Sequence, residues 1–405
     1  MEIKQDYKYY HMYKVLFILI TILLVSCENK QTKNSNEKSK KAFVELVTPN
    51  SLVDEYKELK LSRLADSVWY VPLETNKDLL LGDIGTQGSY KYVQNSFYIY
   101  DGQQGCIYVF SSDGKFQNRI GKIGQGANEI FQFLDYTTDG KLVYVADFGN
   151  KLHRYKKDGT YLGHVDLPKQ AYKLMYISED KIGCYITDNQ FDNSNNAYSW
   201  LIVNAMGDSV SCRKTFKVRE SENSSSLNHY VLHDFSVEYP LAYKEAFNDS
   251  LYYFDLDGNI RAYGYIDLGI HKINPSLSFD EVLKQGHAIR LSRIYDTPHY
   301  LLAKGRCFCI KDKMTCFVWN KDTNDFFCLQ DFNITNDLGG PDFQPLSCAY
   351  PGLLIGLAEP ADCPQGFIKQ YNMKLDDNPV LVMGGCNLNC VSKEKTINFA
   401  NTVFL

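Results

Sequence analysis

A ten-residue pattern occurs three times along the chain, and this repetition limits the folds that the chain can adopt. The pattern begins at Ile107 with Ile-Tyr-Val-Phe-Ser-Ser-Asp-Gly-Lys-Phe, and related segments begin at Leu152 and Leu251, 45 and 144 positions later. Since 144 is three times about 48, we expect a further copy between the last two, and the segment from Trp200 to Gly207 fills that place. Repeats of about 40 to 50 residues with four short strands each are typical of a β-propeller.

Asp-Gly pairs within the repeats predict the number of blades. Such pairs favour tight hairpin turns, because Gly readily adopts a positive φ. Turns of this kind, including looser copies, are expected near residues 113, 158, 206, 257, 322 and 377. Six turns predict an all-β fold, a six-bladed β-propeller spanning 44–385. Seven blades are the alternative, because the stretch between 258 and 322 is long.

A capping box offers another explanation for this long stretch. Ser278 is followed three residues later by Glu281, which is typical of a helix N-terminus. Val282, Leu283 and Ile289 would then form the apolar face of a short helix near 278–290. We therefore predict a helical insertion between strands of a blade rather than a seventh blade.

Two strand-like runs are expected to close the ring. The run 68–73 precedes every full repeat, and the run 379–383 is the last strong strand signal. Propellers commonly complete the last blade with a strand from the other end of the chain, which removes an exposed sheet edge. We expect 68–73 to pair with 379–383. The segment 386–405 extends past this closure as a tail whose structure the sequence leaves open.

The N-terminus resembles a bacterial lipoprotein signal peptide, predicted here for residues 1–26. Three lysines precede an apolar run at 15–25 that is too short to span a membrane. This run ends in Leu-Val-Ser-Cys, so we expect Cys27 to be lipidated and to become the mature N-terminus. Either Met1 or Met12 could initiate the chain, and the alternative structure is a buried helix with an incidental cysteine. Residues 27–43 are mostly polar and predict a disordered tether.

Eleven cysteines follow Cys27, an odd number that implies at least one free thiol. Export permits disulfide bonds, and Cys309 would lie opposite Cys316 if 307–319 formed a hairpin. Buried, unreactive thiols are expected for most of the others.

With these features in view, the chain resembles the six-bladed β-propeller lipoproteins, distant relatives of NHL-repeat propellers in bacteria with an outer membrane. The resemblance covers roughly 65–383 and includes Tyr-Val-Pro-Leu-Glu-Thr at 70–75 and the Gly-rich link at 120–129. It implies an exported propeller that is anchored by lipid in the cell envelope. The expected membrane is the outer one, and the resemblance does not decide between its periplasmic and surface faces. Most members have no known function, and the resemblance implies an interaction role.

Three motifs suggest chemistry, and each has a simpler explanation. The Gly-rich run 121–126 lacks the Gly-Lys-Ser/Thr ending of a phosphate loop, so we interpret it as a link between blades. Asp255-Leu256-Asp257-Gly258 lacks the Glu of a calcium loop and predicts a turn. His229, His233 and Asp234 could approach a metal, but strand spacing would place the two imidazoles about 13 Å apart. We therefore predict no metal, no cofactor and no catalytic residue.

Composition and motifs favour binding over catalysis. A net charge of −5 without a basic stripe argues against nucleic-acid partners. Abundant Tyr would suit carbohydrate, peptide or protein ligands, so we expect a binding or scaffolding module. The alternatives are an enzyme, either a glycoside hydrolase or a lyase with acidic residues at a channel mouth, and a purely structural envelope component.

Overall fold

The computed structural model describes residues 43–52, 56–82, 84, 89–126, 128–186, 198–214, 231–274, 277–308, 314–329, 332–386 and 403–404. Cys27, His229, Cys309 and residues 27–42 of the predicted tether lie outside these residues. Within the described ranges, no helix is long and apolar enough to cross a membrane.

Three short strands precede the first full repeat, and the next twelve form three four-stranded antiparallel sheets. The first three are β1 (Val44–Val47), β2 (Tyr56–Lys57) and β3 (Ser67–Pro72). Blade 1 contains β4 (Ser89–Val93), β5 (Ser96–Asp101), β6 (Cys106–Ser111) and β7 (Phe116–Ile120). Blade 2 contains β8 (Phe133–Thr138), β9 (Leu142–Asp147), β10 (Lys151–Lys156) and β11 (Tyr161–Asp166). Blade 3 contains β12 (Lys173–Ser178), β13 (Lys181–Tyr185), β14 (Tyr198–Val203) and β15 (Ser209–Lys214).

The second half of the chain forms three more blades. Blade 4 contains β16 (Val231–His233), β17 (Ala242–Glu245), β18 (Ser250–Phe254) and β19 (Ile260–Asp267). Blade 5 contains β20 (Ile289–Asp296), β21 (Tyr300–Cys307), β22 (Met314–Asn320) and β23 (Phe326–Leu329). Blade 6 contains β24 (Gln344–Ala349), β25 (Leu353–Ala358) and β26 (Val380–Gly385), followed in the sheet by β3 and a returning β27 (Val403–Phe404).

The blades form a ring, as the repeats predict. The first strand of each blade is its inner strand, and inner strands of neighbouring blades, such as β8 and β12 or β4 and β24, contact each other around the axis. Each interface between neighbouring blades also holds its own apolar cluster. Between blades 3 and 4, for example, Trp200 packs edge-to-face on Tyr243 and Phe254, with ring centroids 5.0 and 5.1 Å apart. The fold is therefore a six-bladed β-propeller.

Strand β3 closes the ring in the predicted way. It pairs antiparallel with β26, so that Pro72 lies opposite Val380 and Ser67 lies opposite Gly385. On its other side β3 pairs with β27. The first and last parts of the described chain thus complete the same blade, which removes the edge that β26 would otherwise expose.

Strands β1 and β2 extend two blades in a way that the sequence does not predict. Strand β1 pairs in parallel with β19 of blade 4, and β2 pairs in parallel with β23 of blade 5. The chain then forms a 3-10 turn at Leu61–Arg63 before it reaches β3. The described strands of the propeller therefore begin at Val44, ahead of the strand-like run near residue 68.

Five predicted turns join the last two strands of their blades, and the sixth does not. The turns near 113, 158, 206, 257 and 322 connect the third strand of a blade to the fourth. Residue 377 instead follows a short helix (Gln365–Gln370) in the connection between β25 and β26. Blade 6 needs no such turn, because its fourth strand is β3 from the other end of the chain.

The predicted helix α1 (Phe279–Gln285) is present, and its capping box is complete. Val282 is fully buried against Ile273 and Ala288, whereas Leu283 is exposed and Ile289 already belongs to β20. The helix connects β19 to β20, so it lies between blades 4 and 5 and not within a blade.

The described cysteines are mostly buried, as expected, but the expected disulfide bond is not formed. Six of the described free thiols are buried, while Cys212 is exposed and Cys363 is half-buried. Cys316 is a free thiol, so the proposed bridge between Cys309 and Cys316 is wrong. Cys307 is disulfide-bonded instead.

Candidate ligand-binding site

A cavity of about 340 Å³ lies at the centre of the ring. It is lined by residues from the inner strands of five blades and from the segment that follows β16. The polar lining residues are Ser89, Lys173, His233, Asp234, Ser292, Arg293 and Ser347. The cavity exists because six inner strands surround the axis without filling it.

An ion pair crosses the axis beside this cavity. Lys91 on β4 donates from Nζ to the Asp234 carboxylate, which directly follows β16. These residues belong to blades 1 and 4, which lie opposite each other in a ring of six. The Lys91 and Asp234 side chains are 10 % and 22 % exposed, so the pair is largely shielded from water. Asp234 also has a φ of +53°, an uncommon conformation for a residue other than Gly.

His233 connects this ion pair to a second carboxylate. Its Nδ1 lies 2.8 Å from Asp234 Oδ2, and its Nε2 lies 3.4 Å from Asp135 Oδ2. Asp135 is 1 % exposed and also accepts a 2.8 Å hydrogen bond from the Leu174 backbone N–H of blade 3. Side chains or backbone of blades 1 to 4 therefore meet in one network.

The network fixes the charge state of its members. Burial alone would raise the pKa of Asp234, but Lys91 and His233 hold that pKa well below its usual range. Burial likewise opposes the charged form of Lys91, yet Asp234 and Asp135 raise its pKa. Both groups are therefore ionised at neutral pH.

Two further residues of the cavity lining, Lys173 and Arg293, are basic. Lys173 begins β12, and Arg293 lies in β20. Burial raises the pKa of Tyr295, and the nearby Arg293 guanidinium partly offsets this effect. Both basic side chains are half-buried.

Two other cavities lie away from the axial network. One of about 520 Å³ includes His299 and Asp322, whose side chains are 58 % and 60 % exposed. Another of about 610 Å³ is lined by the turn around Asp158 and includes Gln117. Neither brings together shielded charges from several blades, so the axial cavity is the stronger candidate.

The sequence pointed to only part of this site. His233 and Asp234 were considered as metal ligands, but the described residues contain no group of His, Cys, Asp and Glu that could hold a metal ion. Lys91 and Asp135 were missed. Each is a charged residue within a strand rich in aromatic side chains, and this contrast is the signal that could have identified them.

The remaining motifs have structural roles. The Gly-rich run joins β7 to β8, where Glu129 accepts a hydrogen bond from the Gly126 N–H and pairs with Lys122 at 2.8 Å. In the turn after β18, Asp255 Oδ1 accepts hydrogen bonds from the N–H groups of Asp257 and Asn259. These motifs connect strands, as predicted.

Comparison with known proteins agrees with this fold and leaves the activity open. No curated protein matches the chain. A solved structure of a "putative exported protein" from Bacteroides fragilis has a TM-score of 0.58 at 13 % identity, covering 85 % of this chain and 99 % of its own. A DUF4221 family member from Bacteroides vulgatus has a TM-score of 0.49 at 12 % identity, covering 80 % of this chain and 96 % of its own.

A family model covers most of the propeller. It is described as a domain of unknown function, DUF4934, and it matches residues 44–384. This range starts at β1 and ends within β26, so it contains all six inner strands and the axial network. The chain belongs to the DUF4934 family.

Proposed function

We propose that this chain is an exported binding module that is anchored by lipid at Cys27 and holds a ligand in its axial cavity. The observation that carries the proposal is the cavity itself, which is about 340 Å³ and lined by polar residues from several blades. Ligand pockets commonly have volumes of about 300 to 1,000 Å³ and a few polar groups that orient the ligand. The closed ring would hold these groups rigidly.

The ligand class that fits the wall best is a small carbohydrate or a peptide end. Ser89, Ser292 and Ser347 offer hydroxyl groups, and Tyr90 and Tyr295 offer apolar surface. The Lys91–Asp234 ion pair crosses the ring, so a long chain is not expected to thread through it.

A ligand screen on the purified full-length protein tests the binding role. We expect at least one neutral or acidic saccharide or short peptide to bind in calorimetry and raise the unfolding temperature. Ser347→Phe should abolish binding, because the introduced phenyl group fills the axial cavity. Gln117→Phe, placed in the outer cavity of about 610 Å³, is the matched control and should bind normally. Binding that survives Ser347→Phe would place the ligand elsewhere.

Membrane fractionation tests the anchor. Cys27→Ala should move the protein from the membrane to the soluble exported fraction, because the thiol is the acceptor for lipid. Cys212→Ala removes an exposed thiol of the propeller and should leave the protein in the membrane. Membrane retention of Cys27→Ala would contradict the anchor.

An enzyme on the same scaffold, a glycoside hydrolase or a lyase, is the second candidate. One observation favours it, since two carboxylates and an imidazole meet at the cavity. A glycosidase also needs a carboxylic acid that stays protonated, with a raised pKa. The pKa of Asp234 is lowered instead, and its charge is paired with Lys91. For this reason we favour binding.

A further inference from the structure

The charges around the axial cavity do not balance, and this difference indicates what kind of ligand fits. Two carboxylates, Asp135 and Asp234, belong to the network described above. Three cationic side chains, Lys91, Lys173 and Arg293, either line the cavity or pair with a residue that lines it. Leaving His233 aside, these three cations outnumber the two carboxylates.

Both carboxylates are already satisfied by protein groups. Asp234 accepts from Lys91 and His233, and Asp135 accepts from the Leu174 N–H and faces His233 Nε2. Little of their negative charge is left for a cationic ligand. The rest of the cavity wall is basic rather than neutral, because it includes Lys173 on β12 and Arg293 on β20.

Lys173 is the cation without a counterpart. Among the described residues, its ammonium group has no hydrogen-bonded or ionic partner, although the side chain is half-buried in the cavity wall. Holding a charge in a partly desolvated site is unfavourable unless a partner compensates it. An anionic group of a ligand would supply that partner.

The remaining wall narrows the ligand further. Arg293 offers a planar guanidinium that suits the two oxygens of a carboxylate. The serine hydroxyls suit the hydroxyl groups of a sugar, and the volume of about 340 Å³ is close to the lower end for ligand pockets. The ligand is therefore small.

We propose that the axial cavity binds a small carboxylate-bearing ligand of sugar-acid type, with Lys173 and Arg293 facing the carboxylate. The inference rests on the binding role proposed above, and it specifies the ligand class of the same cavity. The hydroxyl groups of the ligand face the serines of the wall.

Calorimetric titration of the full-length protein with D-glucuronate and D-glucose tests the proposal, because the two sugars differ in the carboxylate. We expect glucuronate to bind at least about tenfold more tightly, and added NaCl to weaken its binding. Lys173→Gln should weaken glucuronate binding about tenfold, because one charge contact is lost. Lys284→Gln, on the exposed side of α1, is the matched control and should bind like the wild type.

The other outcomes separate this inference from the binding role. Equal affinities for glucose and glucuronate, or an unchanged affinity in Lys173→Gln, would overturn the carboxylate assignment. The carboxylate assignment would also be overturned if inorganic phosphate bound to the protein and glucuronate did not. If these probes fail but another compound binds and is blocked by Ser347→Phe, the inference falls and the binding role stands. If nothing in the ligand screen binds, both fall.

Discussion

A side chain on Gly114 would collide with the backbone of Pro72, because a Cβ placed there lies only 2.2 Å from the Pro72 carbonyl oxygen. Gly114 belongs to the Asp-Gly turn of blade 1, and Pro72 ends the strand that closes blade 6. The Gly114 carbonyl also accepts a 2.8 Å hydrogen bond from the Glu74 N–H. The first repeat turn therefore contacts the segment that closes the ring.

This contact predicts unequal effects of the same substitution in two equivalent turns. Gly114 and Gly258 both have positive φ, +81° and +84°, so alanine strains both by about 1 kcal/mol. A Cβ on Gly258 meets only the Lys181 and Ile202 side chains, at 3.5 and 3.7 Å. Gly258→Ala should therefore cost about 1 kcal/mol of unfolding free energy and Gly114→Ala about 3 kcal/mol. Urea unfolding measures the loss of unfolding free energy in each variant. Equal losses would mean that the segment around Pro72 shifts to make room for the Cβ of residue 114 at no cost.

The ion pair between Lys91 and Asp234 predicts a large coupling energy. Removing one partner leaves a shielded charge without its counterpart, so Lys91→Met and Asp234→Asn should each cost about 3 kcal/mol. The double variant should recover much of this loss, because neither charge remains. A double-mutant cycle of urea unfolding gives the coupling energy.

A more exposed ion pair provides the control for this cycle. Lys272 Nζ lies 2.5 Å from Asp249 Oδ2, and the two side chains are 45 % and 30 % exposed. Their coupling energy should be about 1 kcal/mol or less. A similarly small value for Lys91 and Asp234 would show that water screens the axial pair as well.

The parts of the fold that sequence could predict are those fixed by neighbouring residues. Asp-Gly turns and aromatic strands depend on local backbone preference and alternation, and they identify the first five blades. The same holds for the capping box of Ser278 and Glu281. Strand β2 has only Tyr56 and Lys57, and its partner β23 lies near the other end of the chain. No local pattern specifies such a pairing.

The axial site is formed by residues that lie far apart in the sequence. Lys91 and Asp234 are 143 residues apart, and only closure of the ring brings their blades to opposite sides of one axis. His233 and Asp234 are adjacent in the sequence and pair with each other, but Asp234 also pairs with Lys91 and His233 also faces Asp135. Their roles follow from the ring and could not be derived from spacing.

Lys244 predicts how stability changes at alkaline pH. It is 7 % exposed, and burial lowers its pKa to about 8, an effect that Asp249 partly offsets and Lys272 strengthens. In the unfolded chain a lysine titrates near pH 10.4. Below pH 8 both states carry the proton, so the folded protein bears the full cost of a buried charge. Between pH 8 and 10.4 the unfolded state binds more protons, so Lys244 makes stability rise with pH, by up to about 3 kcal/mol.

Replacing Lys244 should remove this rise. The Lys244 Nζ donates to the Asn248 carbonyl at 2.6 Å and to the Glu245 carbonyl at 3.3 Å, so Lys244→Met loses two hydrogen bonds as well as a charge. Other groups also titrate in this range, and the informative quantity is therefore the difference between wild type and variant in urea unfolding at each pH. Relative to the variant, the wild type should gain stability from pH 8 to 10.4, whereas the exposed Lys284→Met should follow the wild type throughout. Parallel curves for the wild type and Lys244→Met would show that Lys244 keeps an ordinary pKa in the folded protein.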